Sequence, residues 1–216
     1  MNKDCLKLCL ITNAQAMPLA QYKNFILQAI EGGVTSIQLR EKSKNTSELY
    51  QMALMLKTLL NPLKIPLIIN DHVELAKEID AEGVHLGQSD CTPDHARKIL
   101  GPCKIIGLSI ETLEELKIAN SLTCINYIAA STVFRSQTKT NCKTIWGLHG
   151  LGEMTKHAKH PVIAIGGIDA GNVKQVIEHG ACGVAVISAV HAQNNPAKAA
   201  HALITQINQA ERNNHV

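Results

Sequence analysis

Residues 162–188 read VIAIGGIDAGNVKQVIEHGACGVAVIS. The stretch begins and ends with short apolar runs, 162–165 and 183–187, of the kind that forms strands buried on both faces of a sheet. Between them, residues 172–179 have the apolar spacing of a helix. Two buried strands joined by a helix form a parallel βαβ unit. The stretch therefore predicts an α/β protein with a parallel sheet.

The same unit recurs along the whole chain. The other predicted strands are 8–11, 36–39, 66–69, 83–86, 104–108 and 125–129. The predicted helices are 18–30, 46–60, 72–79, 93–100, 113–122, 148–157, 172–179 and 196–207. Eight βα units in 216 residues favour one closed (β/α)8 TIM barrel spanning 1–216, with an open doubly wound sheet as the alternative.

The composition restricts the function classes. Hydrophobic residues make up 45% and charged residues 18%, as in a globular protein. Aromatic residues make up only 3%, and the net charge of +3 comes from scattered basic residues, so we expect no nucleic-acid partner. The longest apolar runs are far shorter than a membrane span, so we expect no membrane partner.

The cysteines and the N-terminal residues indicate the cellular compartment of the protein. The chain has seven cysteines, an odd number, and no Cys-x-x-Cys pair, which is typical of reduced thiols in a cytosol. The first apolar run, 8–11, is too short for a signal peptide and fits a first strand better. We therefore expect a cytoplasmic protein.

Two carboxylates follow consecutive predicted strands. In a barrel the active site lies at the carboxyl ends of the strands, and Asp71 and Asp90 come after the third and fourth. Neighbouring strands lie about 5 Å apart, so both side chains could share one Mg²⁺, with substrate phosphate completing its ligands. The alternative is that each aspartate caps the helix that follows it.

Cations and glycines at other strand ends predict anion binding. Arg40, Lys42 and Lys139 would suit a diphosphate, although ion pairing on the surface is the alternative for each of them. Gly166-Gly167 and Ser188 follow the last two strands, a recurrent phosphate site in barrels, although a tight turn without a ligand would also fit. Two anion sites in one mouth indicate the joining of two phosphorylated small molecules, with diphosphate leaving.

Seven motifs, in order along nearly the whole chain, are similar to those of one family. They are QLREK at 38–42, IND at 69–71, GVHLGQSD at 83–90, GLS at 107–109, TK at 138–139, IGGI at 165–168 and VISA at 186–189. Together they resemble the thiamine-phosphate synthase family. The resemblance implies a (β/α)8 barrel and a transferase that condenses hydroxymethylpyrimidine diphosphate with thiazole phosphate, giving thiamine phosphate and diphosphate.

The resemblance also implies roles for particular residues. It gives the catalytic role to Arg40, Lys42, Ser109 and Lys139. The residues expected to hold the pyrimidine diphosphate are Gln38, Leu39, Arg40, Glu41, Lys42, Asn70, Ser109 and Lys139. The residues expected to hold the thiazole phosphate are Ser136, Gln137, Thr138, Gly167, Ile187 and Ser188. Asp71 and Asp90 would bind one Mg²⁺ per subunit. The expected partners are small phosphorylated substrates, and a homo-oligomer is possible.

The chain departs from the family pattern at three places. Arg135-Ser136 stands where the family usually has Pro-Thr, and Ile110-Glu111 where it has Thr-His. Cys91 adds a residue before Pro93. These changes concern loops and thiazole affinity more than the reaction. The alternatives are a thiazole tautomerase, an isomerase of the same fold, and a non-catalytic ligand-binding relative; the full set of metal and diphosphate residues favours the synthase.

Overall fold

The computed structural model describes residues 3–136 and 142–214, and eight parallel strands form a closed barrel. The strands are β1 (Leu8–Ile11), β2 (Ser36–Leu39), β3 (Leu67–Asn70), β4 (Gly83–Leu86), β5 (Ile105–Ile110), β6 (Tyr127–Ser131), β7 (Val162–Ile165) and β8 (Gly183–Val186). Each strand pairs with the next, and β8 pairs with β1 to close the barrel. The predicted (β/α)8 architecture is confirmed, and the open sheet is excluded.

Helices follow the strands as the sequence predicts, with one addition. They are α1 (Leu19–Glu31), α2 (Thr46–Leu60), α3 (Val73–Glu78), α4 (Pro93–Leu100), α5 (Leu113–Ala119), α6 (Gly147–His157), α7 (Val173–Glu178), α8 (Ser188–His191) and α9 (Pro196–Asn214). The four-residue α8 was not predicted, because it is too short to show a helical period. Across the described ranges, no helix combines the length and apolar character that a membrane span requires.

Side-chain alternation along the strands gives the barrel two cores. In β1, for example, Leu8 and Leu10 pack outward among the helices, while Cys9 and Ile11 belong to the smaller cluster inside the barrel. Successive side chains of a strand point to opposite faces, which produces this division. The inward residues at the carboxyl ends of the strands therefore determine the chemistry of the mouth.

The tyrosine in the barrel interior depends on a glycine in the neighbouring strand. Gly107 of β5 pairs in register with Tyr127 of β6, and any Cβ at Gly107 would collide with the tyrosine ring. Tyr127 is only 2% exposed. Gly107 thus leaves the space that the ring fills, immediately below the mouth.

Candidate active site

A cavity of about 330 Å³ opens at the carboxyl ends of the strands. This volume suits small-molecule substrates. Eleven of the predicted site residues line it: Gln38, Arg40, Lys42, Asn70, Asp71, Asp90, Ser109, Ser136, Gly167, Ile187 and Ser188. The fold therefore brings residues from seven separate strand ends, those of β2 to β8, to one mouth.

The ends of β1 and β2 are tied together beneath the cationic side of the mouth. The Arg40 N–H donates to the Thr12 hydroxyl at 2.9 Å, and the Thr12 N–H donates to the Gln38 carbonyl at 2.8 Å. These bonds fix the backbone from which Arg40 and Lys42 reach the cavity wall. Lys42 is exposed, so its charge is available to a ligand.

Two residues predicted to contact substrate, Leu39 and Glu41, do not line the cavity. Leu39 is 1% exposed and packs in the outer core, because it faces away from the inward Gln38 that precedes it. The buried Glu41 carboxylate accepts a hydrogen bond from the Ala14 N–H at 2.8 Å. Glu41 therefore holds the loop between β1 and α1 rather than pointing into the mouth.

Asp71 and Asp90 meet at the cavity wall. The chain turns through a left-handed conformation at Asp71, with φ of 65°, and its N–H donates to the His85 carbonyl at 2.9 Å. The Asp90 carboxylate accepts from the Gly87 N–H at 2.7 Å. Burial, together with a hydrogen bond and charge repulsion from Asp90, raises the pKa of Asp71 to about 6. The two carboxyl groups are thus close enough to share a proton or a cation.

The predicted helix-capping alternative does not describe these aspartates. The residues at the starts of the two following helices are His72 for α3 and Thr92 for α4. The Thr92 side chain accepts from the His95 N–H, which is the capping bond expected of it. Asp71 and Asp90 are therefore available to the cavity.

Ser109 is held from two directions at the deep wall of the cavity. Its hydroxyl lies 2.9 Å from His85 Nε2, and its carbonyl accepts from the Gln88 side-chain amide at 2.6 Å. His85 Nδ1 in turn lies 2.9 Å from the Tyr127 hydroxyl. Neither His85 nor Tyr127 was among the residues predicted to have a role. The signal that could have found them is an inward glycine, Gly107, next to an inward tyrosine on the adjacent strand.

The glycines after β7 pack closely against the segment that follows β6. Gly166 and Gly167 have φ of 100° and 63°, conformations that favour glycine. A Cβ on Gly167 would lie 2.6 Å from the Arg135 carbonyl oxygen, and one on Gly166 would collide with Thr132. The Phe134 N–H donates to the Gly166 carbonyl at 3.1 Å. The two glycines therefore allow the segment after β6 to lie against the mouth.

His191 secures α8, whose first residue is Ser188. Burial lowers the pKa of His191, so the ring is neutral at pH 7. Its Nδ1 lies 3.0 Å from the Ile187 carbonyl and its Nε2 lies 2.9 Å from the Tyr22 hydroxyl, which also accepts from the Asn13 N–H. This link between α8 and α1 fixes the position of Ser188 at the mouth.

One family departure lies at the cavity itself. Glu111 lines the mouth with Lys143, whose N–H donates to the Glu111 carboxylate at 3.2 Å. The Lys143 ammonium donates to Glu115 at 2.8 Å. Neither Lys143 nor Glu115 was among the predicted site residues. The predicted site residues Gln137, Thr138 and Lys139 lie outside the described residues.

Fold and site together define a (β/α)8-barrel enzyme with a polar mouth suited to small anionic molecules. The family model described as thiamine monophosphate synthase matches residues 8–190. The chain belongs to this family, whose synthases are transferases of thiamine biosynthesis, as the sequence motifs predict.

Individual relatives agree over nearly the full length. The chain is 43% identical over 203 residues to the thiamine-phosphate synthase of Chlamydia caviae, covering 94% of this chain and 95% of the relative. It is 44% identical over 202 residues to that of Vibrio parahaemolyticus, covering 94% and 98%. The solved thiamine phosphate pyrophosphorylase of Pyrococcus furiosus matches with a TM-score of 0.86 and 35% identity, covering 96% and 98%.

Proposed function

We propose that the mouth of this barrel condenses hydroxymethylpyrimidine diphosphate with thiazole phosphate, giving thiamine phosphate and diphosphate. The observation that supports this most strongly is the single cavity lined by cations and carboxylates on one side and by Gly167 and Ser188 on another. Such a cavity would bind two anionic molecules side by side. The family to which the chain belongs supplies the identity of the two substrates.

The side of the mouth formed by β2 to β5 would hold the pyrimidine diphosphate. Arg40 and Lys42 would pair with the diphosphate oxygens, and the sequence assigns Lys139 to the same task. Gln38 and Asn70 also line the cavity, and their side-chain amides would contact the pyrimidine ring. Leu39 and Glu41 would act only indirectly, by fixing the strand end that carries Arg40.

The residues present fit one Mg²⁺ per subunit at Asp71 and Asp90. Burial, and after it the neighbouring Asp90 carboxyl group, raises the pKa of Asp71, and a divalent cation would relieve the repulsion within the pair. Within the described residues no cluster of three or more His, Cys, Asp or Glu forms a complete metal site, so substrate oxygens would have to supply further ligands. The chemistry that Mg²⁺ would supply is neutralisation of the departing diphosphate.

The opposite side would hold the thiazole phosphate. Gly167 can bring its backbone close to an anion, and Ser188 adds a hydroxyl at the start of α8. Ile187 would contact the thiazole ring, and Ser136 would add a second hydroxyl. The sequence assigns Gln137 and Thr138 to the same phosphate.

The reaction needs no nucleophile from the protein. The C–O bond to diphosphate breaks, and both electrons leave with the diphosphate. The resulting pyrimidine-stabilised cation is captured by the lone pair of the thiazole nitrogen, which forms the C–N bond. Arg40 and Lys42 would stabilise negative charge as it develops on the leaving group. Apolar inward residues such as Ile11 and Ile163 line the inner cavity and would limit access of water to the cation.

The setting of the enzyme is also a proposal. The seven cysteines are all free thiols in the structure, which supports the expected cytoplasmic location. Small phosphorylated substrates are the expected partners. A homo-oligomer remains a prediction, for which sedimentation of the purified protein is the measurement.

The proposed function is tested by incubating the purified protein with both precursors and Mg²⁺. Thiamine phosphate and diphosphate should appear in equal amounts. A tautomerase would instead isomerise a thiazole substrate without releasing diphosphate, and a non-catalytic relative would bind without turnover. Product analysis by chromatography with diphosphate detection separates the three.

A further inference from the structure

A chain of three side chains runs from the barrel interior to the cavity. The Tyr127 hydroxyl lies 2.9 Å from His85 Nδ1. His85 Nε2 in turn lies 2.9 Å from the Ser109 hydroxyl. The rings of His85 and Tyr127 are stacked with centroids 5.5 Å apart. Tyr127 is 2% exposed and His85 is 6% exposed, whereas Ser109 lies at the cavity wall. The chain thus connects a fully enclosed phenol to a group that can touch substrate.

The buried end of the chain fixes the direction of its hydrogen bonds. Burial raises the pKa of Tyr127 well above its ordinary value, so the phenol keeps its proton. In the described part of the protein, the acceptor within reach of that proton is His85 Nδ1. Donation to Nδ1 requires a lone pair there, which places the single proton of the neutral imidazole on Nε2. The reverse arrangement would leave a buried O–H without an acceptor.

The tautomer of His85 then sets the direction of its hydrogen bond to Ser109. An Nε2–H donates to the Ser109 oxygen, so the serine hydroxyl accepts from His85 and keeps its own proton free for donation elsewhere. Its backbone carbonyl is held by Gln88, which prevents the residue from turning away. We propose that His85 is a positioning residue, set by Tyr127, which makes Ser109 a hydrogen-bond donor toward an acceptor atom of the bound pyrimidine diphosphate. The proposal deepens the proposed function and rests on it for the identity of the ligand.

The acceptor chemistry has two sources in this substrate, a pyrimidine ring nitrogen and a diphosphate oxygen. Both carry lone pairs that a serine O–H can reach, whereas an amino group would have to donate. Because the Ser109 proton is not used by His85, a substrate acceptor at that position satisfies the hydroxyl, whereas a substrate donor leaves its proton without an acceptor. The chain would therefore contribute to substrate orientation as well as to affinity.

The first test measures the tautomer and needs no catalysis. The protein is labelled with ¹⁵N-histidine, and long-range ¹H–¹⁵N spectra are recorded at neutral pH, with the His85→Asn variant identifying the His85 signals among those of ten histidines. We expect His85 to be neutral with its proton on Nε2, and Tyr127→Phe to shift the Nδ1 resonance. A proton on Nδ1, or a charged ring, overturns the proposal whether or not the protein is a synthase.

The second test measures the path through Ser109 by a double-mutant cycle. Tyr127→Phe keeps the ring that fills the space beside Gly107 and removes only the hydroxyl. We expect it to lower kcat/KM for the pyrimidine diphosphate roughly three- to tenfold, with the KM for thiazole phosphate unchanged. In a Ser109→Ala background the same change should have no further effect. Losses that multiply in full in the double variant would mean that Tyr127 acts only on the fold, and the proposal would fail.

Binding experiments distinguish the two acceptor atoms. Calorimetry is run with hydroxymethylpyrimidine alone and with inorganic diphosphate alone, on the wild type, Ser109→Ala and Tyr127→Phe. Weaker binding of the pyrimidine alone in both variants identifies a ring nitrogen, and weaker binding of diphosphate identifies a phosphate oxygen. Unchanged binding of both ligands overturns the proposal. Because these measurements need no turnover, they remain informative if the proposed function itself fails.

Discussion

Asp71 and Asp90 follow the ends of β3 and β4 and line one cavity, and Asp90 adds to the burial that raises the pKa of Asp71. Two carboxyl groups in contact at a partly buried wall are costly unless a proton or a cation lies between them. This relationship makes the pair the most specific feature of the mouth, and two predictions depend on it.

Replacing either aspartate by asparagine should weaken the dependence of synthesis on Mg²⁺ and lower kcat. Both amides keep an oxygen, so Asp90→Asn can still accept from the Gly87 N–H and preserve that turn. Because two carboxylates alone give few ligands, Mg²⁺ and the diphosphate should bind with positive coupling. The measurement is a Mg²⁺ titration of activity at several pyrimidine diphosphate concentrations. Full activity in EDTA would contradict the metal role, and unfolding in EDTA, seen by circular dichroism, would make the ion structural.

Asp71→Asn should leave the metal-free protein at least as stable as the wild type at neutral pH. The pKa of Asp71 is raised from 3.8 to about 6 in the folded state, so the folded protein binds this proton more tightly than the unfolded chain. Stability therefore falls as pH rises from about 4 to about 6, and the loss persists above that range. The amide variant lacks this loss, so its advantage in urea denaturation should shrink as the pH approaches 4.

Asp80, whose pKa is shifted in the opposite direction to that of Asp71, provides the control for that measurement. Lys104 holds the pKa of Asp80 below its ordinary value, and Asp80 lies on the surface away from the mouth. Asp80→Asn should therefore leave stability at neutral pH unchanged or slightly lower, never higher. A gain in both variants would show that the effect at Asp71 is not a property of the paired carboxyl groups.

Ser188→Ala should raise the KM for thiazole phosphate roughly fivefold, with little change in that for the pyrimidine diphosphate, because it removes one hydrogen bond at the exposed start of α8. Gly167→Ala should do the same and also lower stability by at least about 1–2 kcal/mol, since φ is 63° there and the new Cβ would lie 2.6 Å from the Arg135 carbonyl oxygen. The checks are steady-state kinetics for each substrate and thermal denaturation. An effect confined to the pyrimidine diphosphate would reverse the assignment of the two anion sites.

Removing a cation from the diphosphate side should lower turnover without affecting the fold. Lys42→Ala and Lys139→Ala should each reduce kcat/KM for the pyrimidine diphosphate by about a hundredfold, because each charge would act on the leaving group as it departs. Lys156→Ala is the matched control, since its ammonium pairs with Glu153 on the exposed surface of α6. Near-normal kinetics of Lys139→Ala at saturating substrate would refute its assigned role.

Much of this architecture could be predicted because each βα unit carries its own pattern. The apolar runs predicted eight strands, and only the ends shifted, as in β6, which begins at Tyr127 instead of 125. The polar residues directly after the strands converge because all carboxyl ends of a parallel barrel meet at one mouth. Arg40, Asp71, Asp90 and Ser188 were found by this rule.

The motifs do not show which of their residues face the cavity, and they do not show contacts between distant segments. Leu39 and Glu41 belong to a family motif, yet strand alternation turns the first into the outer core, and a bond to Ala14 engages the second. No role for His85 could be predicted, because its partner Tyr127 lies 42 positions away in sequence. Local patterns contain no information on such pairings.

The most direct test of the central claim is a single-turnover experiment with both precursors and excess purified enzyme. Product release cannot limit the signal there, so formation of the C–N bond and release of diphosphate are followed together. The account predicts that thiamine phosphate and diphosphate form at the same rate, in equal amounts, and only when Mg²⁺ is present. Release of diphosphate without thiamine phosphate, or neither product from folded protein with both substrates bound, would contradict it.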